Sequence, residues 1–124
     1  MDIRTERVGD ILVVRVSGEL DLATAGEFRH RVDADLDRFG SRDVVIDFSE
    51  LGFLDSSGLG ALLGRYRRVA ERGGRVAVSG CAPHVRRVLE LSGVMRIIAC
   101  HPSVREAVAA FGGDTSSASG GGVP

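Results

Sequence analysis

The chain predicts an α/β fold, a mixed and mostly parallel sheet of about five strands covered by about four helices. Three observations carry that expectation. Short apolar runs bounded by turn residues recur along the chain, as at residues 11–16, 44–48 and 75–78. Between these runs the apolar spacing changes from strand-like to helical. The helical stretches also carry start and stop signals of their own.

Taken in order, Gly9-Asp10 separates residues 3–8 from residues 11–16 and predicts a hairpin. Ala25, Phe28, Val32, Leu36 and Phe39 then recur at helical spacing, with Gly40 as the stop. Thr24-Ala25-Gly26-Glu27 has the form of a capping box, so the first helix is expected to start near Thr24. Residues 44–48 read as a buried strand. Leu59, Leu62, Leu63, Tyr66 and Val69 form the apolar stripe of a second helix, ended by Gly73-Gly74. After the strand at 75–78, residues 83–91 make a third helix, with Pro83 early and Gly93 just past its end. Residues 96–99 are the fifth strand candidate. Ser103-Val104-Arg105-Glu106 is a second capping box, opening a fourth helix that runs to Phe111. Beyond it Gly and Ser dominate, and such a tail cannot bury enough apolar surface to order itself. The expectation is a single domain over residues 1–111 and a disordered tail over residues 112–124.

Composition narrows the function. A length of 124 residues fits one domain, and 44% hydrophobic with 27% charged residues is ordinary for a globular chain. Aromatics are only 5% and Trp is absent, so the core must be aliphatic. A net charge of −1 gives no long-range attraction to nucleic acid or anionic lipid. All 16 basic residues are Arg, scattered among 17 acids. No apolar run approaches the ~20 residues of a membrane span, and the first residues lack the pattern of a signal peptide. A cytoplasmic protein is expected, binding neither nucleic acid nor membrane, with Cys81 and Cys100 reduced.

The segment Asp55-Ser56-Ser57-Gly58-Leu59-Gly60 lies between a strand end and a helix start. In parallel sheets that end of the strands is the usual place for a site. A helix N-terminus exposes unpaired N–H groups and about half a positive charge, which favours an anion. The structural reading is that Asp55, Ser56 or Ser57 caps the helix. The functional one is that a serine here is phosphorylated, and the two do not exclude each other. Ser57, Gly60, Ala61 and Gly64 stand at helical spacing and make a smooth strip beside the leucine stripe. Each interior Gly costs ~1 kcal/mol relative to Ala, so the strip either packs within the domain or receives a partner's backbone.

At these residues the chain resembles a known family. The run from Val44 to Gly60, with Asp55-Ser56-Ser57-Gly58 at its end, is similar to the signature of anti-sigma factor antagonists of the STAS superfamily. Ser17-Gly18-Glu19-Leu20-Asp21 resembles a second motif of that family, and Leu91-Ser92-Gly93 also fits. The likeness runs from about Arg4 to Phe111. It implies that Ser56 is phosphorylated, with Ser57 as second choice. It also implies that Asp21 and Asp55 lie beside the phosphosite and the partner surface, and the small residues Ser57, Gly58, Gly60, Ala61 and Gly64 are expected to complete the partner-binding set. The implied partners are an anti-sigma factor serine kinase of the histidine-kinase-like ATPase type and a serine phosphatase. No cofactor is implied. The alternative is a STAS scaffold subunit of a signalling assembly or of a lipid-transport complex.

Other constellations are poorer. Cys81-Ala82-Pro83-His84 with Cys100-His101 invites a zinc site, but adjacent ligands on a strand point to opposite faces. A Gly-x-Ser-x-Gly elbow and a Gly-Lys-Ser/Thr phosphate loop are both missing, so the chain is not expected to be an enzyme.

Overall fold

The computed structural model describes residues 1–112, and the tail expected over residues 112–124 lies, apart from Gly112, outside the described residues. Strand β1 (Asp2–Val8) turns at Gly9 into β2 (Ile11–Leu20). Helix α1 (Ala25–Phe39), β3 (Asp43–Leu54), α2 (Ser56–Glu71), β4 (Val76–Ser79) and α3 (Pro83–Ser92) follow. A 3-10 turn at Val94–Arg96, β5 (Ala99–His101) and α4 (Val104–Ala110) complete the described residues. The five strands lie in sequence order in one sheet. Among the described residues only β1 and β2 are antiparallel, while β2, β3, β4 and β5 run parallel. The expected fold class is the one observed.

Alternation along the strands sorts their side chains to two faces. Leu12, Val14 and Val16 of β2, with Val44, Ile46 and Phe48 of β3, point to one face. There they meet Phe28, Val32 and Leu36 of α1, Leu62 and Val69 of α2, and Val85 and Leu89 of α3. This is the main core, aliphatic apart from two phenylalanines that are fully buried. Ile11, Val13, Val45 and Ala77 point to the other face, where Ala107 of α4 covers them. Of the leucine stripe on α2, Leu62 and Val69 are fully buried, and Leu59, Leu63 and Tyr66 pack against the core from its margin.

Four local expectations are corrected. β2 and β3 continue past the apolar runs, to Leu20 and Leu54, because parallel pairing carries on through Ser17 with Glu50, Gly18 with Leu51 and Leu20 with Leu54. Two register shifts in this stretch break the alternation, which hides the strand from a periodicity argument. The fifth strand is Ala99–His101 rather than 96–99, since Gly93, in the left-handed region at φ 82°, leads into a 3-10 turn that uses up Arg96. The capping box at Thr24 does not form. The Thr24 hydroxyl donates to the Glu19 carbonyl at 2.8 Å and accepts the Asp21 N–H at 2.9 Å, so it braces the preceding turn instead. The box at Ser103 does form on its N-cap side, with Ser103 Oγ accepting the Glu106 N–H at 3.2 Å. β4 begins one residue late, at Val76.

Candidate functional site at the start of helix α2

Parallel pairing brings the C-terminal ends of β2 and β3 together, so the β2–α1 turn lies against the β3–α2 junction. Asp55 joins them. Its backbone N–H donates to the Leu20 carbonyl at 3.3 Å. One carboxylate oxygen accepts the Gly58 N–H at 2.9 Å, and the other accepts the Leu22 N–H at 3.3 Å. Asp55 is therefore the N-cap of α2 and also a clamp on the neighbouring turn. That settles which residue of the Asp-Ser-Ser-Gly segment caps the helix.

Because Asp55 caps, Ser56 is left in the first turn of α2 with its side chain exposed. Ser57 is half-buried. Gly58 is buried, and a Cβ there would overlap the Leu20 carbonyl and press on the Leu20 side chain. Its small size is thus demanded by the fold of the free domain. Asp21 sits on the turn facing Asp55. Its carboxylate accepts the N–H groups of Ala23 at 3.0 Å and Thr24 at 3.2 Å, which holds the turn in shape.

The small-residue strip faces a groove of about 640 Å³ between α1 and α2. Ser57, Gly60, Ala61 and Gly64 line its α2 side, and Ala25 and Gly26 line its α1 side. A Cβ built on Gly60 or Gly64 meets nothing within 4 Å, so these two positions are open to solvent. Ala61 is at the floor of the groove, only 5% exposed, and packs inward more than outward.

Residues without an obvious motif complete the site. Leu22 on the turn is 79% exposed and Phe53 at the end of β3 is 46% exposed, two apolar side chains close to Ser56 in sequence or across the Asp55 clamp. Below the groove, α1 and α2 are joined by charge. Arg65 Nε lies 2.8 Å from Asp33 Oδ1, and Arg68 pairs with Asp33 at 3.1 Å and with Asp37 at 2.7 Å. The Arg65–Asp33 contact is close but poorly aligned for a hydrogen bond. Burial pushes the Arg65 guanidinium down from its usual value and the Asp33 charge opposes this. Only the spacing of Asp33 and Asp37 on one helix and Arg65 and Arg68 on another signals this ladder in the sequence, and no rule pairs the two helices in advance.

The remaining candidates for chemistry lie elsewhere. His84 Nε2 is 2.6 Å from the Gly52 carbonyl, and Cys81 and Cys100 face each other. Among the described residues no group of three or more His, Cys, Asp or Glu side chains is placed to hold a metal ion. No helix among them is long and apolar enough to cross a membrane.

The family model of the STAS domain matches residues 2–107. An anti-sigma F factor antagonist from Paenibacillus polymyxa is 39% identical over 85 residues, 68% of this chain and 73% of that protein. An anti-sigma factor antagonist from Mycobacterium paratuberculosis superposes with a TM-score of 0.79 at 29% identity, covering 88% of this chain and 92% of the other. The phosphorylated form of the Bacillus cell fate determinant SpoIIAA superposes with a TM-score of 0.70 at 27% identity, covering 89% and 99%. The match spans nearly all the described residues, and the strand-end and helix-start segments fall inside it. The chain belongs to the STAS domain family, on the branch of the anti-sigma factor antagonists.

Proposed function

We propose that this protein is a cytoplasmic partner switch. Unphosphorylated, it binds an anti-sigma factor that is also a serine kinase, and so releases the sigma factor which that inhibitor held. The kinase, of the histidine-kinase-like ATPase type, transfers a phosphoryl group from ATP to Ser56, and a serine phosphatase resets the switch. The chain contributes no catalysis of its own. The observation that carries this reading is the division of labour at Asp55-Ser56. Asp55 does the capping, which leaves an exposed hydroxyl at the helix start, beside a groove whose wall is glycine at Gly60 and Gly64.

The physics of the switch follows from that placement. A phosphoserine brings roughly −1.5 to −2 charges and three acceptor oxygens. At an exposed helix N-terminus an anion is favoured by about 0.3–1 kcal/mol, and the Asp55 carboxylate opposes it. The two effects leave the domain folded. A partner seated in the groove meets the phosphate at its rim, and burying that charge without a cation costs several kcal/mol. Each ~1.4 kcal/mol is tenfold in affinity. Phosphorylation therefore ends binding by obstruction rather than by unfolding.

The test is to capture the partner by affinity from the source cell, then incubate the pair with ATP and map the phosphate by mass spectrometry. Phosphate on Ser56, its loss in Ser56→Ala with partner binding retained, and weaker binding by a phosphorylated chain that melts like the unmodified one support the reading. A phosphorylated form that binds equally well, or one that has lost its fold, rules it out. Phosphate on Ser57 moves the site by one residue.

A further inference from the structure

Cys81 and Cys100 are 19 positions apart and take no part in the switch described above. Cys81 is the middle residue of the turn from β4 into α3, and Cys100 is the middle residue of β5. The two strands run parallel, with Val78 opposite Cys100 and Ser79 opposite His101. The Gly80 N–H continues that pairing by donating to the His101 carbonyl at 2.9 Å. Gly80 itself has a φ of 68°, and a Cβ there would press on Ser49 and Asp47 at 2.9–3.0 Å, so the turn has little room to shift. Both cysteine side chains lie on the α3 side of the sheet, partly buried against the core. Their Sγ atoms are 3.4 Å apart. A disulfide needs ~2.05 Å, so the two sulfurs have still to close the remaining gap. Arg86 of α3 places Nη1 3.6 Å from Cys100 Sγ.

We propose that Cys81 and Cys100 are an oxidisable dithiol, a modification site that closes to an intramolecular disulfide when a peroxide is the oxidant.

The chemistry balances in two steps. The Cys100 sulfur attacks a peroxide oxygen, the O–O bond breaks, one water leaves and Cys100 becomes a sulfenic acid. The Cys81 sulfur then displaces the sulfenic oxygen, and its own proton departs with that oxygen as the second water. The two thiols lose two electrons and two protons, and hydrogen peroxide takes both to become two waters. The order of attack has a physical basis. Burial, reinforced by the hydrogen bond with Cys100, pushes the Cys81 thiol up to about 12, so Cys81 stays protonated at neutral pH. The Arg86 guanidinium, whose charge also acts on Cys81, lies 3.6 Å from Cys100 Sγ, where negative charge develops during attack. The closed loop, residues 81–100, contains all of α3. It also carries His84, which touches the Gly52 carbonyl on the strand leading to Asp55.

The experiment uses the whole chain, reduced, freed of reductant and treated with a small excess of hydrogen peroxide. Remaining thiols are then alkylated under denaturing conditions and the intact mass is measured. The expected product is a monomer lighter by two hydrogen atoms, carrying no alkyl group, with a peptide linking Cys81 to Cys100 and full reversal by a dithiol reductant. In Cys81→Ser the reaction is expected to stop at a Cys100 sulfenic acid, trapped as its dimedone adduct. A wild-type chain that keeps two alkylatable thiols, or one that links only to a second copy, overturns the proposal.

Discussion

Three glycines in the first turns of α2 have opposite jobs. At Gly58 a methyl group would run into the Leu20 carbonyl, whereas at Gly60 and Gly64 it would meet nothing within 4 Å. Gly58 lets the helix start dock against the end of β2, and its smallness is used up inside the domain. Gly60 and Gly64 gain the domain nothing. An interior helical glycine is worse than Ala by ~1 kcal/mol, so these two weaken the helix that carries them. The same residue type is thus architecture at one position and a solvent-facing wall at the others. A stripe of small residues has no single meaning until the side it faces is known.

The contrast can be broken most sharply at Gly58. Gly58→Ala forces either β2 or the α2 start to move, and the obstacle is backbone, which has no rotamer to yield. The cost is expected at the upper end of the ~1–3 kcal/mol of overpacking, or beyond it. For a domain of this size that is a fall in melting temperature on the order of 10 °C. Thermal unfolding followed by circular dichroism measures it. A variant that melts within two or three degrees (a shift of under ~0.5 kcal/mol) would show that the helix start slides freely, and the internal reason for Gly58 would fail.

Gly60→Ala and Gly64→Ala are expected to act in the other direction. Each removes backbone entropy from the unfolded chain without a clash and raises stability by up to ~1 kcal/mol, several degrees in melting temperature. Affinity for the captured partner is expected to fall in the same variants, because the groove wall gains a methyl where a partner's backbone approaches. Higher stability with unchanged affinity would keep the contrast between the glycines but take the partner off this groove.

How much of this was legible in advance depends on whether the signal was local. Gly40 and Gly93 stopped their helices as expected because a left-handed C-cap is a property of a few consecutive residues. The Asp55-Ser56 junction was likewise visible as a helix start on a strand end. The failures share a cause. Thr24 looked like an N-cap, but Asp21 and the Glu19 carbonyl compete for its hydroxyl, and only the path of the turn shows who wins. The extensions of β2 and β3 depend on pairing with each other through shifted register, which neither segment's own pattern contains. Gly58 and Gly60 look alike in the sequence because both are glycines in the first turns of one helix, and smallness is silent on what each position meets. The Arg65–Asp33 pair and the cysteine pair are contacts between distant elements, so nothing in their own neighbourhoods announced them.

The finest cut falls between the two aspartates of the site. Asp55 is bound into the fold at both carboxylate oxygens, by Gly58 and by Leu22. Asp21 uses a single oxygen, Oδ1, for its contacts with Ala23 and Thr24, and its second oxygen makes none of them. Asp21→Asn keeps an acceptor at Oδ1 and removes only the charge, so the turn is expected to survive with a stability change within ~0.5 kcal/mol. Any effect on function then reports the charge itself. If Asp21 belongs to the partner surface, affinity or the phosphorylation rate of Ser56 changes while the melting temperature stays put. If both are unchanged, Asp21 joins Gly58 on the architectural side, a residue chosen for the turn it holds. A large loss of stability would instead mean that the charge, and not the acceptor, holds the turn beside Asp55, and the division drawn here between the two carboxylates would have to be reversed.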